Sequence, residues 1–561
     1  MATSITSADL IPIEQHFRVS AGPGAGKTYW LVNHIKNVLH ISLRLGKTRK
    51  IACITYTNIA VTTILARLGT SSDKVEVSTI HSFLYKHIVK PYATFIASDY
   101  DLNVAKMDGH EDIILSNYSF LDELKTATGQ QRIKDNAAMV DAITKAKWKF
   151  NSAGVLEIKP DYPQKIDSYS VKNETYSQYK KMAWAKGVLH HDDVLFFSYQ
   201  LLIKFPFLQS VIRAKFPYFF IDEFQDSNPI QVRILEMIGQ VETKIGIIGD
   251  KAQSIYLFQG ADASQFEAFT LQGVIDYKMS DNRRSTNQII DCLNIVRPAF
   301  PQNKYNNING ELPCILVGDI KSAFAKGKEL SSSDIVHTLS YRNVISNAMK
   351  KEMNNNIPTE NLLHSLSETD SNKERQALIS ICIKATEYAL NNRFKDALKE
   401  LEKLFKGHKD LSKKEALKHL VLLRNKYREY CDGSLLEYHT FVNTQIKQIA
   451  GLKKGAILDF YTNHTYQQLA VCVNIIEDDS LHRTIHKSKG DEFDNVILIL
   501  DEEKDLNFLF SPDLDGKEEH RVFYVAMSRA KNRLFISVPT LTDANRAKVT
   551  QLPFTIHNLM E

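Results

Sequence analysis

The sequence predicts an α/β chain with two parallel sheets, each interrupted by a mainly helical insertion. Short apolar runs end in polar loops and lead into helical patterns. HFRVSA, KIACITY, FPYFFID and TKIGIIGD lie before residue 251, and FDNVILIL and RLFISV follow residue 490. Buried strands that alternate with helices build parallel sheets. Polar, helix-patterned stretches occupy residues 90–186 and 350–450. The first strand also runs into a glycine-rich loop, VSAGPGAGKTYW, that opens a helix. The predicted division is 1–89 and 187–275 for the first α/β domain with 90–186 inserted, and 276–349 and 451–561 for the second with 350–450 inserted.

Composition agrees with such a chain. At 561 residues it exceeds one core. Hydrophobic residues make up 43% and charged residues 24%, as in ordinary globular proteins. No apolar run approaches the ~20 residues of a membrane span. The start MATSITSADLIPIEQH lacks a secretory pattern. Six scattered cysteines form no CxxC pair, so neither a zinc site nor a disulfide frame is indicated, and a reducing, cytoplasmic setting is expected. Net charge is +5. Lys373 to Arg428 alone holds fifteen Lys or Arg against seven Asp or Glu, and reads either as a solvated helical face or as a nucleic-acid face. Ser412 and Glu415 have capping-box spacing, so a helix is expected to start at Ser412.

In the opening loop, Ala21, Gly22, Gly24, Ala25, Gly26, Lys27 and Thr28 fit a loose Walker A spacing. Gly24 and Gly26 let backbone N–H groups turn inward around phosphate. The helix N-terminus adds positive potential. Lys27 would reach the β- and γ-phosphates of ATP, and Thr28 would hold Mg²⁺. YFFIDEFQD supplies the partner strand, with Asp222 and Glu223 at its C-terminal end. Asp222 suits a Mg²⁺ ligand, and Glu223 the base that orients an attacking water. HHDDVLFF, His190 to Phe197, reads as a helix start with an acidic cap rather than a metal cluster.

With these residues the chain resembles superfamily 1A helicases of the UvrD/Rep/PcrA type. CITYTNIAVTTILARL, VSTIHSFL, IDEFQDSNPIQ, IGDKAQSIYLFQGAD, MSDNRRST, TIHKSKGDEF and RVFYVAMSRAK resemble the family's blocks, in order, over residues 19 to about 537. The resemblance implies two RecA-like P-loop domains. It implies that Gln253 senses the γ-phosphate, and that Arg284 and Arg529 reach the phosphates from the second sheet as guanidinium forks. Glu492 resembles the acid that contacts ribose. Arg283 stands where the family stacks an aromatic on the base. Thr55, Thr57, Asn58, Thr79 and His81 would contact the DNA backbone, Tyr256 and Phe258 would stack on bases, and His486, Lys489 and Gly490 would touch the strand from the second sheet.

The chain departs from the family in lacking a separate upstream glutamine motif, in carrying Asp491 where leucine is common, and in having no aromatic between Pro539 and Leu552. The expected function is ATP-dependent, 3′→5′ translocation on single-stranded DNA, or on tailed duplex, with helicase activity. The alternative is an ATP-switched DNA-sensing subunit that controls a nuclease partner in an antiviral defence complex, as in Gabija-type systems. No membrane partner is expected.

Overall fold

The computed structural model describes residues 2–107, 114–115, 118–257, 260–353, 356–405, 409–475 and 480–559. Two compact units emerge. One comprises Met1–Arg284, Pro298–Asn306 and Leu514–Arg521; the other comprises Ser285–Arg297, Asn307–Asp513 and Val522–Glu561.

The first unit is built on seven parallel strands: β1 (Thr3–Ser4), β2 (Phe17–Ala21), β3 (Ile51–Thr55), β4 (Val75–Thr79), β5 (Tyr218–Ile221), β6 (Lys244–Gly249) and β7 (Ile275–Met279). Their order is β1-β7-β2-β6-β5-β3-β4. The central strands are apolar on both faces because helices cover both. Ile51 and Cys53 join one core with Trp30, Leu31 and Ile35 of helix Lys27–Ile41. Ala52 and Ile54, one residue out of phase, join the other with Phe197 and Leu201 of helix His191–Lys204. Gly246 is required where it stands, since a Cβ there would lie 2.1 Å from the Phe17 ring.

Between β4 and β5 the chain forms a smaller body with its own core, including Phe120, Leu124, Met139, Ile143, Tyr176 and Ala183. Ala93, Ile96 and Leu102 pack instead into the first α/β core, so the inserted body is shorter than the expected 90–186.

The second unit carries β8 (Cys314–Val317), β9 (His337–Ser340), β10 (His482–Thr484), β11 (Phe493–Ile499), β12 (Ala530–Val538) and β13 (Thr555–Asn558). They are parallel, in the order β10-β9-β11-β12-β8-β13. Its helical insertion has a core from Leu362 to Ile475, rich in tyrosine at Tyr430, Tyr438, Tyr461 and Tyr466. The expected two α/β domains with parallel sheets and helical insertions are therefore present.

Three expectations need correction. A boundary at 275/276 would cut β7, which pairs with β1 and β2 in the first sheet. The second insertion runs past residue 450, because helices Ala456–Asn463 and Tyr466–Ala470 belong to its core. Ser412 lies inside helix Lys409–Asn425 rather than at its start. The six cysteines are free and buried. Among the described residues, no single helix is long and apolar enough to cross a membrane.

Candidate functional site

The glycine-rich loop leaves the C-terminal end of β2 and becomes helix Lys27–Ile41. Gly24 and Gly26 take φ of 74° and 80°, the left-handed region that suits glycine. The loop has close neighbours. A Cβ on Gly24 would meet Asn282 Oδ1 at 2.5 Å, and one on Gly22 would meet Gln302 Nε2 at 2.6 Å. Ala21 and Ala25 are buried beneath it. Such a loop, with Lys27 and Thr28 at its helical end, presents backbone donors to a polyphosphate.

β5 delivers the two acids beside that loop. Thr28 Oγ1 donates to Asp222 Oδ2 at 3.5 Å. Lys27 Nζ lies 3.4 Å from Glu223. Burial, then the neighbouring Glu223 charge, pushes the Asp222 carboxyl up to about 6, with Lys27 opposing. Glu223 holds φ 54°, an uncommon conformation for a non-glycine residue and one that recurs at functional sites. A hydroxyl and a buried carboxylate side by side suit a hard divalent cation, so Thr28 and Asp222 fit Mg²⁺.

A chain of hydrogen bonds leads onward from Glu223. Gln225 Nε2 donates to Glu223. Gln225 Oε1 accepts the Asp250 backbone N–H at 3.0 Å. Gln253 Nε2 donates to Asp250 Oδ2 at 2.6 Å. Ser254 Oγ closes the path on the Gln225 carbonyl at 3.0 Å, and Arg521 Nε donates to the Ser254 carbonyl at 2.8 Å.

This path ends two residues before Tyr256. Tyr256 stacks on Tyr56, with ring centroids 5.0 Å apart and planes 19° apart. Thr57 and Thr79 cap the helices that follow β3 and β4. Asn58 is exposed. Thr55 Oγ1 is buried with no hydrogen-bond partner among the described residues. His81 packs its ring on His191, with centroids 3.6 Å apart. Phe258 lies outside the described residues.

Arg284 corrects the sequence reading. It was expected on the second sheet, yet it closes the first unit. The Arg283 N–H donates to the Gly24 carbonyl at 3.0 Å, and the Arg284 N–H to Asn282 Oδ1 at 2.9 Å. The first of these bonds fastens the segment to the glycine-rich loop. The Arg283 guanidinium lies 3.6 Å from the centroid of the Tyr305 ring.

In the second unit, Arg529 is buried. Its Nε donates to the Val525 carbonyl at 3.1 Å and a terminal nitrogen to the Asp491 carbonyl at 3.4 Å. His486 opens a short 3₁₀ turn, and Lys489 follows it. Gly490, exposed, has φ 95°. Glu492 is exposed. Asp491, the departure from the family pattern, pairs with Arg483 at 2.8 Å.

His190–Phe197 behaves as the expected helix start. Asp193 Oδ2 accepts the His190 N–H at 2.9 Å, and Asp193, fully buried, pairs with Lys180 at 2.8 Å. The sequence reading passed over Tyr56, Gln225, Asn282, Gln302 and Arg521. Tyr56, Gln225, Asn282 and Arg521 lie inside the family-like blocks, Tyr56 as an aromatic among strand-end threonines and Arg521 as the cation opening the last block. Gln302 gave no local signal, since its contact with Pro23 spans 279 residues.

Residues 3–272 match the UvrD/REP helicase N-terminal domain, and residues 338–540 match the UvrD-like helicase C-terminal domain. The chain is similar to the Gabija protein GajB of Bacillus cereus, 25% identical with 93% of each chain covered. It is similar to the putative ATP-dependent DNA helicase YjcD of Bacillus subtilis, 24% identical over 93% of this chain and 76% of the relative. Similarity to the ATP-dependent DNA helicase Rep of a Buchnera aphidicola strain is 24%, with 92% of each chain covered.

Proposed function

We propose that this chain, built from UvrD-like helicase domains, is an ATP-driven translocase that moves 3′→5′ along single-stranded DNA. The observation that supports this most is the hydrogen-bonded path from Glu223 through Gln225, Asp250 and Gln253 to Ser254. It joins the acid placed for hydrolysis to the segment that carries the Tyr56–Tyr256 stack. In this reading the path would couple chemistry at one end to grip at the other.

In this reading Ala21 to Gly26 bind phosphate oxygens with backbone N–H groups, and Lys27 adds positive charge there. Thr28 and Asp222 hold Mg²⁺, which when bound neutralises phosphate charge. Glu223 orients the attacking water and takes its proton. Gln253 senses the terminal phosphate, and Arg284, Arg529, Arg283 and Glu492 complete the nucleotide contacts. Arg529 must leave its carbonyl partners to do so, which would make its arrival a conformational step. Thr55, Thr57, Asn58, Thr79, His81, Tyr256, Phe258, His486, Lys489 and Gly490 form the strand path. Stacked bases hold the strand without sequence preference.

A second reading is favoured by the end-to-end similarity to a Gabija protein. There the chain acts as an ATP-switched subunit that senses DNA and governs a nuclease partner in antiviral defence. Turnover measured with and without single-stranded DNA, single-stranded RNA and duplex tests both. Strong DNA-stimulated turnover with directional stepping in a stopped-flow translocation assay supports the motor. DNA binding and ATP binding without stepping would leave the switch. With no aromatic wedge between Pro539 and Leu552, the lone chain should unwind long blunt duplex poorly and need a 3′ tail.

A further inference from the structure

We propose that His81, His191 and Asp192 form a binding site for a divalent metal ion of the zinc class, so that with the ion bound His81 is withdrawn from the strand path. Each offers one donor atom, and the three donors lie within 4.8 Å of one another. The two imidazoles are already in contact, 3.6 Å between ring centroids and tilted by 34°. Zinc ligated at about 2.0–2.1 Å by imidazole nitrogens in a tetrahedral shell holds its donors roughly 3.3 Å apart. Binding an ion would draw the three donors, which lie within 4.8 Å of one another, closer together.

Donor chemistry selects the ion. Two imidazole nitrogens and one carboxylate oxygen suit Zn²⁺, Co²⁺ or Ni²⁺ over Mg²⁺ or Ca²⁺, which prefer oxygen ligands. Three protein ligands leave a coordination position for water. The site is therefore distinct in chemistry from the Thr28–Asp222 pair.

The ligands come from two helices whose apolar residues, Phe83 and Leu84 on one and Val194 and Phe197 on the other, share the first core. His81 sits in the first turn after β4, in helix Ile80–Leu84. His191 and Asp192 open helix His191–Lys204, where the chain returns from the insertion to the first core. An ion shared between them would brace the inserted body's exit against the end of β4. Asp193, the next acid, is committed to Trp148, Trp184 and Lys180, so the helix start is held rigidly from beneath. Asp192 also lines a cavity of about 380 Å³ with Trp148, Phe150 and Leu257. Its charge reaches Tyr56, whose hydroxyl is held above its ordinary value by burial first and then by Asp226, Tyr256 and Asp192.

The test is cobalt titration of the full, chelator-stripped chain, read by visible absorption and by equilibrium dialysis. One Co²⁺ per chain is expected, with the visible bands of a low-coordinate nitrogen–oxygen site, displaced by Zn²⁺. His191→Ala should weaken binding at least about 10–100-fold, the loss usual even for a residue that only supports a ligand. Asp192→Asn should weaken it as well. Asp222→Asn, which alters the proposed Mg²⁺ site, should leave the cobalt bands unchanged. The proposal is overturned if the chain takes up no Co²⁺ at micromolar concentration, if His191→Ala binds as tightly as the parent chain, or if Asp222→Asn abolishes the bands. Circular dichroism of each variant confirms that a lost band reports a lost ligand.

Discussion

The ammonium of Lys27 stands 3.4 Å from the carboxylate of Glu223, so each charge is compensated by the other in a pocket that also buries Asp222. Removing either group should therefore have different consequences. Lys27→Ala takes away the phosphate contact and leaves two acids facing each other, so nucleotide affinity and turnover should both collapse. Glu223→Gln frees Lys27 for phosphate while losing the base. Turnover should nearly vanish while a fluorescent ATP analogue binds as well as before or better. Normal turnover in Glu223→Gln would refute the assignment of that acid.

The fit of Gly24 against Asn282 gives a second prediction. Gly24→Ala must place a Cβ 2.5 Å from Asn282 Oδ1 at φ 74°. The backbone conformation alone costs roughly 1–2 kcal/mol for an L-residue. Nucleotide binding should be lost with little change elsewhere in the fold. Adding Asn282→Ala removes the closest contact but leaves the Arg284 Cβ at 3.0 Å and the backbone cost, so isothermal titration should show partial recovery of nucleotide affinity. No recovery would mean that the overlap with Asn282 does not matter.

Arg529 yields a third. Lysine in its place keeps the charge but cannot reproduce the fork. Arg529→Lys should lower turnover by a factor on the order of 10³ if the residue acts as an arginine finger. Single-strand affinity without nucleotide should stay near that of the parent chain. Equal losses of strand binding and turnover would show instead that Arg529 serves only the carbonyls of Val525 and Asp491.

The Tyr256 ring should carry part of the strand. Tyr256→Ala should weaken single-strand binding by ~1–3 kcal/mol with little dependence on sequence. Tyr56→Ala should act in the same direction, because Tyr56 supports the same stack. Anisotropy titrations at several salt concentrations measure this, and the salt dependence should persist in both variants, since phosphate contacts set it.

What the sequence made legible was local. Gly24, Gly26, Lys27 and Thr28 lie within five residues, and Asp222 and Glu223 end an apolar strand, so spacing alone exposes them. Strand β7, IDYKM, is half-exposed and charged, so it gives no apolar run and was assigned to the wrong domain. Arg284 followed it there, since block order along the chain does not reveal where the fold crosses between units. Residues 446–455, IKQIAGLKKG, are not helical and separate helix Leu435–Gln445 from Ala456–Asn463; that glycine-bearing break reads as the end of the second insertion and hid the helices beyond it. The meeting of His81 with His191 joins residues from different elements, and only the folded chain displays it.

His34 supplies the last prediction, on pH. It lies on the helix that starts at the phosphate loop, stacked on Trp30 at 5.1 Å with rings 6° apart and edged by Phe17 and Phe220. Neither ring nitrogen has a hydrogen-bond partner among the described residues. Burial pushes its value down from 6.5 to about 4, because the charged form would be stranded among aromatic rings. The folded value lies below the unfolded one, so the unfolded chain binds the proton more readily. Stability from the neutral imidazole is complete above pH 6.5 and declines as pH falls from 6.5 towards 4. The gap corresponds to about 3 kcal/mol at most. Urea melts of the parent chain should show the first unit weakening between pH 7 and pH 5. His34→Phe keeps the stacking and cannot take a proton, so the two melts should converge more closely. An unchanged pH dependence in His34→Phe would assign the acid sensitivity to other groups.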